Sequence, residues 1–550
     1  MDQKPLPMLT PGLIDPKTLA GDGATKQAQL VLNTVNAALA AEDEHKRYFS
    51  KSSGNKESGS VKGGTEVGGP AIFLSVSPVL QFIDCPLTFR AEAPAATCNG
   101  KMLLLPTRTE PENEQTAIRW MIWISSTRLT SLDVQPEDES LLQLLSRQFD
   151  NLEDFETDVF IMGGGNVAVT LCARLRALGI ESLMVDKNPY PGDNWALQYD
   201  CMKFHIATSY CDMPFMPYGQ ELRTPHILTK GELTAQVRCY VETFNLNMIN
   251  SAEIQSTQYD PSVGNWEIIF QTPTGLYRTV SKQLLLSTGI GSQIPHIPAI
   301  GDQNLYQGIS LHSAQYKNAR ELKEKGARSV LIIGSANTAF DIEGQLAYNL
   351  FAQLASNKPE CSAGLKAIGF PVIDCSDPRQ SLLQNLLERA GSHYVDVGGT
   401  KLIEECKVRI KAGTESIGYT TSGLRFSNGT TMDTNTIIWC TGFADSNERG
   451  TASQILGGNS IKNDSTNRGK EYILGAWDTA EHVEGTWGLD TEGEIGGMWK
   501  RHQKLDNFWI MGGYTQQHRW YSRTLALQIK AALAGILPPA YRKTPRSQAA

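Results

Sequence analysis

The run Thr157-Asp158-Val159-Phe160-Ile161-Met162-Gly163-Gly164-Gly165-Asn166-Val167-Ala168 (TDVFIMGGGNVA) reads as an apolar strand entering a glycine turn, and Val169 to Leu178 continues it as an amphipathic helix. In that setting the pattern GxGxxA gives each position a physical task. Gly163 makes the tight turn, Gly165 lets backbone approach a pyrophosphate, and Ala168 is small enough for helix and strand to pack. Asn166 and Val167 open the helix whose N-terminal N–H groups would face the phosphates. A second strand, Glu181 to Val185, ends in Asp186, 23 residues after Gly163, where a carboxylate can accept ribose hydroxyls; Lys187 follows it. Strand, turn, helix and acid together make a dinucleotide-binding βαβ unit.

The same grammar returns at Ser329 to Ile333, followed by Gly334-Ser335-Ala336-Asn337-Thr338-Ala339 and a helical pattern through Tyr348. The expected fold class is therefore α/β, with two nested Rossmann-like dinucleotide-binding domains preceded by a small α+β N-terminal domain. The division places the N-terminal domain at 1–155. The first binding domain takes 156–305 and 436–550, and the second, reduced one takes 306–435. Within the N-terminal region, Thr25 to Ala41 has helical spacing, and Ala71 to Val76, Lys101 to Pro106 and Ile118 to Ser125 are strand-like. The Gly, Ser and Lys stretch at 50–70 (SKSSGNKESGSVKGGTEVGGP) has too little apolar surface to fold and is expected to be a disordered loop. Glu137 to Phe155 carries Leu141, Leu142, Leu144, Leu145, Phe149 and Leu152 at helical spacing and predicts a helix. Further on, Asn428-Gly429 between two β-rich arms predicts a hairpin.

Composition narrows the classes of function. With 550 residues, 41% of them hydrophobic and 20% charged, the chain can build more than one core. A net charge of −8 without a basic block argues against nucleic acid or an anionic membrane as partner. The apolar stretches fall far short of the roughly 18 residues of a membrane span. The N-terminus, with four prolines in its first 16 residues, lacks a signal-peptide core, so a cytoplasmic location is expected. Ten scattered cysteines at no metal-ligand spacing predict reduced thiols and no metal site.

Beyond the first unit, Pro191-Gly192-Asp193-Asn194-Trp195 leads to Tyr199-Asp200 and Lys203-Phe204-His205. This run resembles the flavin-dependent monooxygenases of the single-component, NADPH-using class (class B), in particular a fungal branch similar to plant indole-pyruvate monooxygenases. Leu284 to Pro298 (LLLSTGIGSQIPHIP), Tyr306 to Tyr316 with His312, and Ile437 to Phe443 (IIWCTGF) match further motifs of that family. The likeness runs from about Asp158 to Pro539, and Ile118 to Leu142 is similar to the end of a shortened nuclear-transport-factor-like domain. The resemblance implies FAD, held by Gly163, Gly165, Asn166, Val167, Ala168, Asp186, Lys187, Asp193, Asn194, Trp195, His205, Thr288, Gly289, Thr441, Gly442, Gln517 and Arg519. It implies NADPH at Gly334, Ser335, Asn337 and Thr338. The implied partners are a small lipophilic secondary metabolite and O2, which would react through a flavin C4a-(hydro)peroxide.

Three departures leave NADPH open between a working site and a remnant. Ala336 stands where the middle glycine is usual. No second strand with an Arg-bearing end follows the helix, since the first β-like run, Ala367 to Cys375, ends near Asp374. Ala196 and Gln198 stand where relatives carry arginines. Two alternatives therefore stay open: a flavoenzyme that has given up NADPH, acting as an oxidase, dehydrogenase or non-redox cyclase, and a non-catalytic flavin-binding relative. No catalytic residue is assigned. His393 with Tyr394 and Asp396 lacks a nucleophile elbow, and tryptophans 477, 487, 499, 509 and 520 receive no role.

Overall fold

The computed structural model describes residues 14–40, 61–75, 81–92, 95–108, 118–132, 136–147, 154–223, 226–289, 294–334, 364–365, 367, 369–370, 399–443, 448–458, 467–468, 471–483, 497–502 and 504–537, and all statements below concern these. The chain forms two compact units: Met1–Glu139 with Ala177–Gly179 and Arg523–Ala550, and Ser140–Arg176 with Ile180–Ser522.

In the first unit, helix α1 (Gly23–Ala40) lies on a sheet of β1 (Val61–Val67), β2 (Ile72–Ser75), β3 (Gln81–Glu92), β4 (Ala95–Arg108) and β5 (Ile118–Leu132), paired antiparallel in the order β1-β3-β4-β5 with β2 also on β3. Ala24, Ala28 and Leu32, one helical face at four-residue spacing, are buried against Ile83, Cys85, Leu87, Met102 and Leu104, which alternate along the strands. The expected disordered loop at 50–70 is corrected in its second half, because Val61–Val67 is a strand; residues 50–60 lie outside the described residues. The glycines that suggested disorder make a β-bulge between Lys62 and Glu66, with Gly64 at φ +80°. Asn36 pins the bulge from the helix: its Nδ2 donates to Thr65 O (2.8 Å) and its Oδ1 accepts from Thr65 N (2.8 Å). Strand β3 contains Pro86. That proline falls where β1 and β2 meet along the same edge, so its missing N–H breaks no ladder.

The second unit contains the expected βαβ grammar. Its elements are β6 (Asp154–Met162), α2 (Asn166–Ala177), β7 (Ser182–Val185), α3 (Asp193–Ala196), α4 (Lys230–Thr243), β8 (Met248–Ile249), β9 (Glu253–Asp260), β10 (Asn265–Thr272), β11 (Gly275–Leu286), β12 (Ile309–His312), α5 (Ala319–Glu324) and β13 (Val330–Ile333). After these come α6 (Gly399–Glu404), β14 (Ser416–Tyr419), β15 (Gly423–Phe426), β16 (Thr431–Asp433), β17 (Thr436–Trp439), α7 (Glu448–Ile455), the pair β18 (Asn467–Arg468) and β19 (Glu471–Tyr472), α8 (Ala476–His482), β20 (Phe508–Ile510) and the first part, to Ser522, of the C-terminal helix Thr515–Leu533. The main sheet has the order β8-β7-β6-β11-β10-β9, and β20 adds to β11. Strands β8, β7, β6, β11 and β20 are parallel, whereas β10 and β9 form an antiparallel extension. Val159–Met162, Leu183–Val185, Leu284–Leu286 and Phe508–Ile510 are all buried, the unbroken apolar runs of strands covered on both faces.

A second parallel sheet has the order β12-β17-β13. Thr436–Trp439, which the sequence division groups with the first binding domain, is the central strand of this sheet, with β13 and β12 on either side. The Asn428-Gly429 hairpin, with Gly429 at φ +80°, joins β15 to β16 in a separate antiparallel sheet with β14. Of the β-like run at 367–375, Ala367 is helical and Gly369, at φ +83°, closes that turn through Phe370 N–H to Leu365 O (2.9 Å); the remainder lies outside the described residues.

The predicted helix over 137–155 is also corrected. Among the described residues Glu139–Gln143 makes a single 3-10 turn, Leu145 is 87% exposed, and Asp154 and Phe155 already belong to β6; residues 148–153 lie outside the described residues. Arg176 explains the stop. Its guanidinium donates to the carbonyls of Leu141 (3.1 Å), Leu144 and Leu145 (3.2 Å), the acceptors that a continuing helix would use itself. Leucine spacing marks a helix only when the backbone acceptors stay inside it.

Candidate functional site: three turns at the ends of parallel strands

Strands β6, β11 and β20 run parallel as neighbours, so their C-terminal ends bring Gly163–Gly165, Ser287–Gly289 and Gly512–Gly513 to one edge of the sheet, where α/β folds bind their ligands. Gly163 has φ +107°, donates its N–H to Val185 O (2.8 Å), and leaves no room for a side chain: a Cβ would lie 2.5 Å from Ser287 O. Gly164, which sequence reasoning passed over, is equally constrained. A Cβ there would collide with the Met248 methyl, and its N–H donates to Asp186 Oδ2 (2.6 Å). The run of three glycines was the available signal. Gly165 accepts the first helical bond, from Val169 N–H (3.1 Å), and Ala168 is fully buried beneath it.

Asp186 stands at the end of β7 as expected, and its two carboxylate oxygens take the N–H groups of Gly164 and Asn188 (2.7 Å). A carboxylate has about four lone-pair directions, so each oxygen keeps one for a ligand hydroxyl. Lys187 beside it is exposed.

The 192–212 segment packs onto the turn. Gly192, at φ +80°, starts the short helix α3, in which Asp193 is buried, accepts from Tyr190 N–H (3.1 Å) and pairs with Arg238 (3.0 Å). Trp195 donates its indole N–H to Asn166 Oδ1 and sets its edge against Phe204, with ring centres 5.2 Å apart. Asn166 thus acts within the protein, tying this segment to the start of α2. Asn194 lies against Gly165, its Nδ2 3.3 Å from where a Cβ would stand. Its Oδ1 is buried and has no hydrogen-bond partner among the described residues. His205 is half-buried further along.

The third turn leads into the C-terminal helix. Thr515 donates to Cys211 Sγ (3.9 Å), and Arg519 reaches Ser209 O (3.4 Å) and Asp212 (3.9 Å). Gln517 Oε1 accepts from Tyr514 N–H (2.8 Å). His518 is buried, and that burial pushes its pKa down to about 4, so the ring is neutral; its Nε2–H donates to Gly513 O (2.6 Å).

Thr288 and Gly289 lie at the end of β11, inside this cluster. Thr441 and Gly442 do not join it: they follow β17 at the end of the second sheet, beside Gly334. There Thr441 donates to His296 O, and Gly442 O accepts from His296 N–H (2.9 Å) and from His312 Nε2 (2.9 Å). Burial lowers the His312 pKa, which fits a neutral ring tying these two chain crossings together. Gly334, at φ +121°, packs so closely that a Cβ would strike Cys440 O. Ser335, Asn337, Thr338 and His393 lie outside the described residues. Among the described residues no group of three or more metal-ligating side chains is found, and no helix is long and apolar enough to cross a membrane.

The donor set fits a dinucleotide: a glycine cradle that any Cβ would fill, a helix N-terminus, a carboxylate with free lone pairs, and the unpartnered Asn194 oxygen. No family model matches the chain. It is 25% identical over 325 residues to a probable indole-3-pyruvate monooxygenase, YUCCA10, of Arabidopsis thaliana, covering 53% of this chain and 82% of that protein. It is also 25% identical over 296 residues to the uncharacterized oxidoreductase CzcO of Bacillus velezensis, covering 52% of this chain and 81% of that protein. The solved flavin-containing monooxygenase from Stenotrophomonas maltophilia superposes with a TM-score of 0.47 at 17% identity, over 69% of this chain and 99% of that one. FAD is the cofactor that these sequence homologues imply. Its sequence homologues are thus plant indole-3-pyruvate monooxygenases and bacterial oxidoreductases, and as an enzyme the chain is a flavin-dependent oxidoreductase.

Proposed function

We propose that this chain holds FAD across the three turns and uses it, with NADPH and O2, to oxygenate a small lipophilic metabolite. The observation that carries this reading is the meeting of Gly163–Gly165, Thr288–Gly289 and Gly512–Gly513 at one sheet edge, with a polar atom of Asn194 buried there and unpaired. In this account Gly163 and Gly165 admit the pyrophosphate, Asp186 takes ribose hydroxyls on its remaining lone pairs, and Asn194 orients a donor of the cofactor. Bound FAD would supply the redox and oxygen chemistry. The protein's part is to bind, orient and keep out water: Asp193 and Arg238 fix α3 beside the cradle, and neutral His518 holds the third turn without placing a positive charge there. NADPH belongs at Gly334, Ser335, Asn337 and Thr338, and Thr441 and Gly442 would act between the two sheets' ligands. The relatives named for indole-3-pyruvate support an aromatic or similarly flat substrate. A cytoplasmic setting is part of the same proposal, in keeping with free, buried thiols at Cys85, Cys98, Cys172 and Cys211.

One observation favours the NADPH-free alternative: β13, which carries the second glycine turn, is half-buried throughout and pairs only with β17 among the described strands. Titration of the apo-protein with FAD tests the first half of the reading, with saturable one-to-one binding expected. Absence of binding to folded protein contradicts it.

A further inference from the structure

Trp499 sits at φ +63°, a backbone conformation that a bulky side chain adopts only when its surroundings impose it. Its N–H donates to Ile510 O (2.9 Å), its indole Nε1 donates to Gly512 O (3.0 Å), and its ring stacks on Tyr521 with centres 4.1 Å apart and planes within 3°. Gly513, at φ +97°, is pressed against the same indole, since a Cβ there would lie 2.7 Å from Trp499 Cζ2. Met498 backs Gly512 in the same way, with its Sδ 2.9 Å from a hypothetical Cβ. Trp499 is 5% exposed, so this is no surface accident.

The double-glycine turn is therefore gripped from both sides. Trp499 takes the Gly512 carbonyl, and His518 takes the Gly513 carbonyl (2.6 Å). With each carbonyl held by a side chain, the orientation of the turn is fixed before any ligand arrives. Two glycines alone would be free to flip. The left-handed backbone of Trp499 is what aims its indole at Gly512.

We propose that Trp499 is a positioning residue for the FAD site, acting through the Gly512–Gly513 turn. The proposal rests on the reading that FAD spans the three turns. Trp499→Phe keeps the ring on Tyr521 and removes the Nε1 donor; Tyr521→Leu keeps the donor and removes the stacking face. The readouts are FAD Kd, the visible circular dichroism of bound flavin and its midpoint potential, alongside far-ultraviolet dichroism as a check of fold. Trp499→Phe is expected to raise the FAD Kd about three- to tenfold, the effect of one lost hydrogen bond. Freeing the Gly512 carbonyl should also lower the flavin potential and change its visible dichroism, effects that a merely packing residue would not produce. Tyr521→Leu should shift the same signals in the same direction by less, and it carries the test if Trp499→Phe does not fold. Wild-type protein that binds FAD, with both variants retaining its Kd, potential and dichroism, overturns this proposal alone. Wild-type protein that folds and binds no FAD overturns the reading beneath it as well.

Discussion

The two glycine turns begin alike and are supported differently. Gly163 and Gly334 both follow an apolar parallel strand, both have positive φ, and in both a Cβ would strike the carbonyl of the residue that follows a neighbouring strand, Ser287 or Cys440. Strand β6, however, lies between β7 and β11, and Val159–Met162 are at most 1% exposed. Strand β13 has β17 as its one neighbour among the described strands and is half-buried along its length. Local sequence sets the shape of such a turn; the neighbours decide how firmly it is held. That contrast gives the first turn a rigid frame and leaves the second less firmly held.

The sharpest way to break the comparison is to put a side chain into each turn. Gly163→Val should cost at least about 3 kcal/mol through overlap and the forced φ, abolishing FAD binding or weakening it roughly a hundredfold or more in a titration. Gly334→Val should leave the FAD Kd within about threefold and affect only reduction by nicotinamide, because its sheet is separate. Equal loss of FAD in both variants would erase the distinction. Next in size, Asp186→Asn should weaken FAD about 10- to 100-fold, since two backbone N–H groups and the ribose lose a charged acceptor.

Smaller effects test the frame itself. Burial pushes His502 and His518 down to about 4, below the ordinary histidine value of about 6.5. In that window the unfolded chain binds the protons and the folded one does not. Stability is therefore intact above about pH 6.5 and falls as pH drops toward 4, by roughly 1–2 kcal/mol for each ring at pH 5. The urea midpoint of apo-protein should track this fall, and His502→Phe should flatten it by one histidine's share. Smallest, Arg176→Ala should cost about 1–2 kcal/mol by freeing the carbonyls of Leu141, Leu144 and Leu145, with FAD affinity unchanged.

The parts of this frame that were legible in the sequence are those written in short periodic patterns. The β6 turn, α2, β7 and the acid at Asp186 follow from glycine spacing and unbroken apolar runs, and they lie where those patterns put them. What escaped depends on distant partners. The strand at Val61–Val67 exists because Asn36 holds its bulge, and the helix expected at 137–155 fails because Arg176 takes its carbonyls. Thr441 and Gly442 read as part of the first site because their motif is local, but β17 carries them to the second sheet. Trp499 gave no signal at all, since nothing in a tryptophan announces a positive φ.

The most direct test of the account is to mix FAD-loaded protein anaerobically with NADPH and follow the loss of the oxidised-flavin absorption. The flavin is expected to be reduced by NADPH at a rate able to sustain turnover, faster than with NADH. A flavin that dithionite reduces and neither nicotinamide does would contradict it.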